Sequence, residues 1–359
     1  MKNCSFAYLL SFVCLLAFGN ANQKAETIAF SSHSVVAARH HLIQLVEEIK
    51  PGPEIPTELK AASLSLLGKT GSAQFHFAVA ERKAHEHEIL AELNKKLPAL
   101  SGEKHFESSE SATAEAPLFS THPTMAFIAA PGSAAGGHHV YPGGLVQHTY
   151  TNVLSVLAFA ETYEKAYQIK LPQKEKDLAV LAALWHDAAK TWVLEWKEDG
   201  SLTQKEGKIA GTSAHHIWGL AELVKRDFPT DFIVAVAGAH DAVIESQASE
   251  SKVMGYLLAA AIIAGKPSSQ VGLSATEPLR LVALPNLSHY LNNLGDADWS
   301  LSVPAQKKAF ELVSDFVSKI PAKEQNWKRL ALLSKHGEIP IYSVWKSDGP
   351  NAVRALLQK

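Results

Sequence analysis

Ala183-Leu184-Trp185-His186-Asp187-Ala188-Ala189-Lys190 sets an adjacent His-Asp pair in an apolar run, with a lysine four residues after the histidine. A carboxylate in such surroundings is costly to bury unless something pairs with it. A divalent metal does so well, because histidine nitrogen and carboxylate oxygen both bind it at ~2.0–2.2 Å. Neighbouring side chains on a helix point about 100° apart. His186 and Asp187 can therefore face one metal only near a helix end or a local bend.

Outward from this pair, more histidines sit in similar settings. His148 closes Leu145-Val146-Gln147-His148, His240-Asp241 closes Val236-Ala237-Gly238-Ala239, and His138-His139 and His215-His216 are doublets. Helical spacing recurs at Leu145–Tyr167, Lys174–Ala189, Thr212–Lys225, Asp231–Ala239 and Ser251–Ala264. Period-2 alternation is almost absent. One short hairpin is expected, Trp192–Trp196 with Leu202–Lys205 across Glu198-Asp199-Gly200. The fold class is all-α, a helical bundle around a His/Asp metal site with additional helices at both ends.

On the N-terminal side, Val35, Val36, Ala38, Leu42, Leu45, Val46 and Ile49 make one stripe that Pro51-Gly52-Pro53 ends. Helices follow near Thr57–Leu67 and Gln74–Lys96. On the C-terminal side they are expected at Pro304–Lys319, Ala322–Lys335 and Pro350–Gln358. The divisions are 22–100 (N-terminal helices), 101–118 (a polar linker or surface loop), 119–270 (the metal-binding domain) and 271–359 (a C-terminal helical extension). His33, His40, His41, His76, His85 and His87 fall on polar faces and are expected in solvent. Trp185, Trp192, Trp196 and Trp218 are expected in the core.

Gly143-Gly144-Leu145-Val146-Gln147-His148-Thr149 followed by Leu184-Trp185-His186-Asp187-Ala188-Ala189-Lys190 resembles the HD-domain superfamily of metal-dependent phosphohydrolases. His138-His139-Val140-Tyr141-Pro142 ahead of the two glycines is similar to the opening of HD-type 3′→5′ exoribonucleases. The resemblance covers about Ala130 to Gly265. It implies metal ligation by His148, His186 and Asp187. A further histidine before an isoleucine matches His216-Ile217 better than His215, and His240-Asp241 stands where the family has a histidine pair. The family's late aspartate has no counterpart in Met254–Ala261, so Asp241, Glu245 or Glu250 is left to replace it. His138 and His139 are expected to shape the loop rather than bind metal.

The implied activity is hydrolysis of a small-molecule phosphoester, a phosphomonoester or nucleotide-like compound, with Asp187 and Lys190 as catalytic residues. Lys190 would contact phosphate. The implied cofactor is one or two divalent metal ions, from among Mn, Fe, Zn, Ni or Mg. Two other classes stay open: an HD-fold di-iron oxygenase, and a non-catalytic binding protein stapled by its metal.

Met1-Lys2, the apolar run Phe6–Phe18 and the small residues Gly19-Asn20-Ala21 read as a secretory signal peptide over 1–21, cut after Ala21. The run is shorter than the ~20 residues that span a bilayer, so no membrane anchor is expected after cleavage and the protein is expected to be secreted or periplasmic. The two cysteines, Cys4 and Cys14, would leave with the leader. Metal ligation then falls to His, Asp or Glu. A net charge of −2 marks no nucleic-acid surface.

Overall fold

The computed structural model describes residues 21–68, 78–97 and 124–359, apart from 205, 244–246, 277 and 283–285. Of the expected leader over 1–21, residues 1–20 lie outside the described residues, as does the polar linker over 101–118. A helix over 21–31 (α1) is followed by α2 (His33–Glu48), α3 (Thr57–Leu66), a 3-10 segment Ala78–His85 and α4 (Glu86–Lys96). Ser32 caps α2 by accepting a hydrogen bond from the Val35 amide. The central bundle consists of α5 (Gly144–Tyr167), α6 (Gln173–Trp185), the short α7 (Lys190–Val193), α8 (Ala214–Lys225), α9 (Thr230–Ala237), α10 (Gln247–Ala264) and α11 (Leu287–Gly295). The C-terminal extension adds α12 (Trp299–Val317), α13 (Ala322–His336) and α14 (Glu338–Leu357). The architecture is all-α, as the sequence implied.

Helices α5, α6, α9 and α11 pack on one another, α8 lies along α10, and α2 covers α5. The extension packs mainly within itself, with α13 against α2. The four tryptophans expected in the core are buried, and His33, His40, His41, His85 and His87 are exposed. His76 lies outside the described residues. Among the described residues no helix is long and apolar enough to cross a membrane.

Several boundaries differ from the sequence reading, each for a local reason. α6 stops at Trp185 rather than Ala189, because the chain turns into i+3 bonding: the Ala188 and Lys190 amides donate to the Trp185 and Asp187 carbonyls. His186-Asp187 therefore sits at a helix end, one of the two settings in which both side chains can face a common centre. The hairpin pairs Leu194–Trp196 with Leu202–Gln204. A second pair, Lys208–Ile209 with Thr212–Ser213, closes on Ala210 and Gly211, both at positive φ as a tight hairpin turn requires, and delays α8 to Ala214. α12 begins at Trp299 and contains Pro304, and α14 begins at Glu338, with a non-helical Gly349 ahead of Pro350.

Candidate metal centre

The ends of the central helices bring the site together. His148 and Asn152 project one turn apart from α5. His186 and Asp187 follow α6, His215 and His216 open α8, and His240 lies in the turn after α9. α11 then leads into a 3-10 turn carrying Asp296 and Asp298. The glycine pair before α5 is a steric requirement. Gly143 has φ +88 and packs on Val35, while a Cβ on Gly144 would overlap the His139 carbonyl oxygen.

Asp187 is the buried centre of the cluster. Its Oδ2 lies 3.1 Å from His148 Nε2 and 3.3 Å from His186 Nε2, and its Oδ1 lies 3.2 Å from His215 Nε2 and 3.9 Å from His240 Nε2. Asp296 mirrors this arrangement. Its Oδ1 is 3.3 Å and 3.4 Å from the His148 and His186 Nε2 atoms, and its Oδ2 is 3.9 Å from His240 Nε2. Two neighbouring nests result: His148, His186, Asp187 and Asp296 in one, and His215, His240 and Asp187 in the other. The triads His148/His186/Asp187, His186/His240/Asp296 and Asp187/His215/His240 each hold ligand atoms within 4.8 Å of one another.

The hydrogen-bonding state of the rings suits a cation. His186 Nδ1 is 2.8 Å from the Ala183 carbonyl oxygen, which can only accept, so Nδ1 carries the proton and Nε2 faces the nest. His215 Nδ1 is 2.8 Å from Glu206 Oε2, which turns its Nε2 towards Asp187 in the same way. Burial works against charge on both rings. Asp187 and Asp296 nevertheless push His186 up to about 10, and Glu206 with Asp187 pushes His215 up to about 9. The cluster thus draws positive charge onto itself. Several buried nitrogens there, His148 Nδ1 and both nitrogens of His216, have no hydrogen-bond partner. A thiol-free set of imidazole and carboxylate donors fits divalent first-row cations.

The structure places the residues singled out from sequence as follows. His148, His186, Asp187 and His240 converge. His216 is fully buried with its ring 4.3 Å from that of His240 and 5.4 Å from Tyr256, and it is His215 whose nitrogen reaches Asp187. Asp241 turns away from the cluster to Lys252 Nζ (2.9 Å) and the Tyr256 hydroxyl (2.5 Å). No carboxylate of α10 reaches the histidines among the described residues; the one that does is Asp296, held by the Asn152 amide at 3.0 Å. Glu250 is on α10 and joins none of the candidate clusters; Glu245 lies outside the described residues. Lys190 pairs with Asp187 and donates to the Gly132 carbonyl at 2.6 Å.

His138 and His139 form a wall beside the nests. His139 Nδ1 is 2.6 Å from Glu338 and its Nε2 is 2.8 Å from Asp298, and His138, His139, His148 and Asp298 make a further group whose ligand atoms lie within 4.8 Å of one another. Asp298, Glu338, Glu206 and Asp296 went unrecognised in the sequence. Glu206 had no local signal. The helix leading to Asp296 had one: Asn286, an N-cap, followed by Leu287, Leu291 and Leu294 at helical spacing.

The HD domain family model matches residues 149–265. A dihydroneopterin 2′,3′-cyclic phosphate phosphodiesterase from Methanocaldococcus jannaschii is 34% identical over 103 residues, which is 29% of this chain and 39% of that protein. The chain thus spans about two fifths of the length of that curated relative. No solved structure gave a significant match. With the His/Asp cluster in place at the ends of its helices, the segment 149–265 is an HD domain, set in the middle of a larger helical body.

Proposed function

We propose that the chain hydrolyses a small-molecule phosphoester using one or two divalent cations. His148, His186, Asp187 and Asp296 would hold the first, and His215, His240 and Asp187 the second. The observation that carries this reading is Asp187, which offers one oxygen to each of two histidine nests. A bound cation of this kind lowers the pKa of its water towards neutrality and polarises a phosphoryl oxygen.

The chain's own groups divide the remaining work. Asp187, as the carboxylate shared by the two sets, is placed to orient the attacking water. Lys190, which pairs with Asp187 and with a loop carbonyl, can turn its ammonium to a non-bridging phosphoryl oxygen. Glu206 and the Ala183 carbonyl keep the Nε2 atoms of His215 and His186 facing inwards. The side chains of His240 and Asp296 are 24% and 20% exposed, which makes them the open side of an otherwise buried cluster.

The archaeal relative is named for a cyclic phosphodiester, and this supports a phosphodiester among the candidate substrates. Export, supported by the Met1–Ala21 pattern, would direct the enzyme to phosphoesters met outside the cytoplasm. The test is a panel of phosphomonoesters, bis(p-nitrophenyl) phosphate and 2′,3′-cyclic nucleotides, assayed with Mn, Fe, Zn, Ni and Mg. Turnover should be lost on chelation and in Asp187→Ala. Lys190→Ala should keep its metal and lose ~10²–10³ in rate. No turnover with any metal would overturn the proposal.

A further inference from the structure

A cavity lies away from the metal cluster. It is about 490 Å³ in volume, between the 78–97 segment and the C-terminal end of α10, and none of its lining residues is a candidate metal ligand. Its charged lining is Arg82, Lys96, Lys266 and Glu92, and its apolar floor includes Leu258 and Ile262. α10 connects the two places. Tyr256, beside His216, precedes Gly265 by nine residues, about 13 Å of helical rise.

We propose that this cavity binds a small organic anion with an apolar body. Three cations against one carboxylate leave the lining positive. Arg82 is the strongest feature, because it lines the cavity and its guanidinium makes no hydrogen bond or ion pair among the described residues. An unpaired guanidinium in a concave wall offers charge-assisted hydrogen bonds to an incoming anion. The arginine fits closely against the end of α10: at Gly265, φ +68, any Cβ would lie 2.5 Å from Arg82 Nη1.

A helix C-terminus attracts a cation, which offers another reason for an arginine here. That reason would be served by a bond from Nε to an α10 carbonyl, and no such bond is made. The two lysines have partners, Lys96 with Glu92 at 2.7 Å and Lys266 with Asp227 at 2.5 Å. Both carboxylates are well exposed, and such pairs are weak enough for a bound anion to compete. The floor of Leu258 and Ile262 selects for an apolar body.

The test is calorimetric titration of the full chain with phenylphosphonate, which has no ester bond to hydrolyse, and with inorganic phosphate. The expected result is a saturable site that survives chelation, binds phenylphosphonate more tightly than phosphate, and weakens with salt. Arg82→Gln should weaken it about tenfold or more. Lys96→Gln, at an exposed position that leaves the fold alone, should weaken it several-fold. Binding that disappears on chelation, or that is the same in Arg82→Gln and Lys96→Gln as in the natural chain, overturns the proposal. Neither result bears on hydrolysis at the metal centre.

Discussion

At the scale of the residue, the second nitrogen of each histidine settles what the first can do. His186 and His215 each give one nitrogen to a fixed acceptor and keep the other for the nest, whereas His139 gives both to carboxylates. Burial opposes charge on His139, but Glu338 and then Asp298 outweigh it and push its pKa up to about 9. Its folded pKa lies above the ordinary 6.5, so this stabilisation is complete below about 6.5 and is lost as pH rises through about 9. Glu338 is held below its ordinary 4.5 despite burial, by the same ring, so its share is present above 4.5 and lost as pH falls. The Glu338–His139 pair should contribute most between about pH 4.5 and 6.5. Glu338→Gln should cost about 1.5–3 kcal/mol in that window, with a smaller difference at pH 10, read by urea unfolding across pH. Equal losses at pH 6 and pH 10 would remove the ionic account of the pair.

At the scale of the element, the glycine pair and the helix ends decide the geometry. Gly144→Ala should destabilise the protein by about 2–4 kcal/mol, since its Cβ meets backbone rather than a movable side chain. Calorimetric unfolding would check this, and a loss under 0.5 kcal/mol would mean that the turn before α5 adapts. The glycines, the helical spacing and the His-Asp step were all readable in the sequence, because each is a local property. The helix-end requirement for His186 and Asp187 was readable too, although α6 was drawn four residues too long. A choice such as His215 over His216 was not. The doublet offers two adjacent rings, and the one that meets Asp187 is fixed by Glu206, brought back beside His215 by the Lys208–Ser213 hairpin between them. α11 is marked locally by Asn286 and its leucines, but nothing local says that its C-terminal end returns an aspartate to the cluster, because that depends on how it packs on α5 and α6.

At the scale of the whole molecule, the candidate centre is larger than the HD segment that announces it. Residues 149–265 supply Asp187 and four of the histidines, but His148 precedes the segment, and Asp296, Asp298 and Glu338 follow it. Two ligand sets are therefore in competition, one completed by Asp241 from within the segment and one by Asp296 from beyond it. Asp296 is the better placed of the two. It faces three histidine nitrogens, and its carboxyl is held well below the usual range by His186 and His148 in spite of burial. Asp241 is already engaged with Lys252 and Tyr256. Asp296→Ala should thus lose bound metal, measured by elemental analysis after dialysis against a weak chelator. Asp241→Ala should keep the full metal content and lose only the stability of its two hydrogen bonds, about 1–3 kcal/mol. The paired variants His215→Ala and His216→Ala extend the comparison to the second nest, with the larger metal loss expected at His215. Metal retained in Asp296→Ala but lost in Asp241→Ala would return the last ligand to the HD segment and leave the C-terminal extension a purely supporting role.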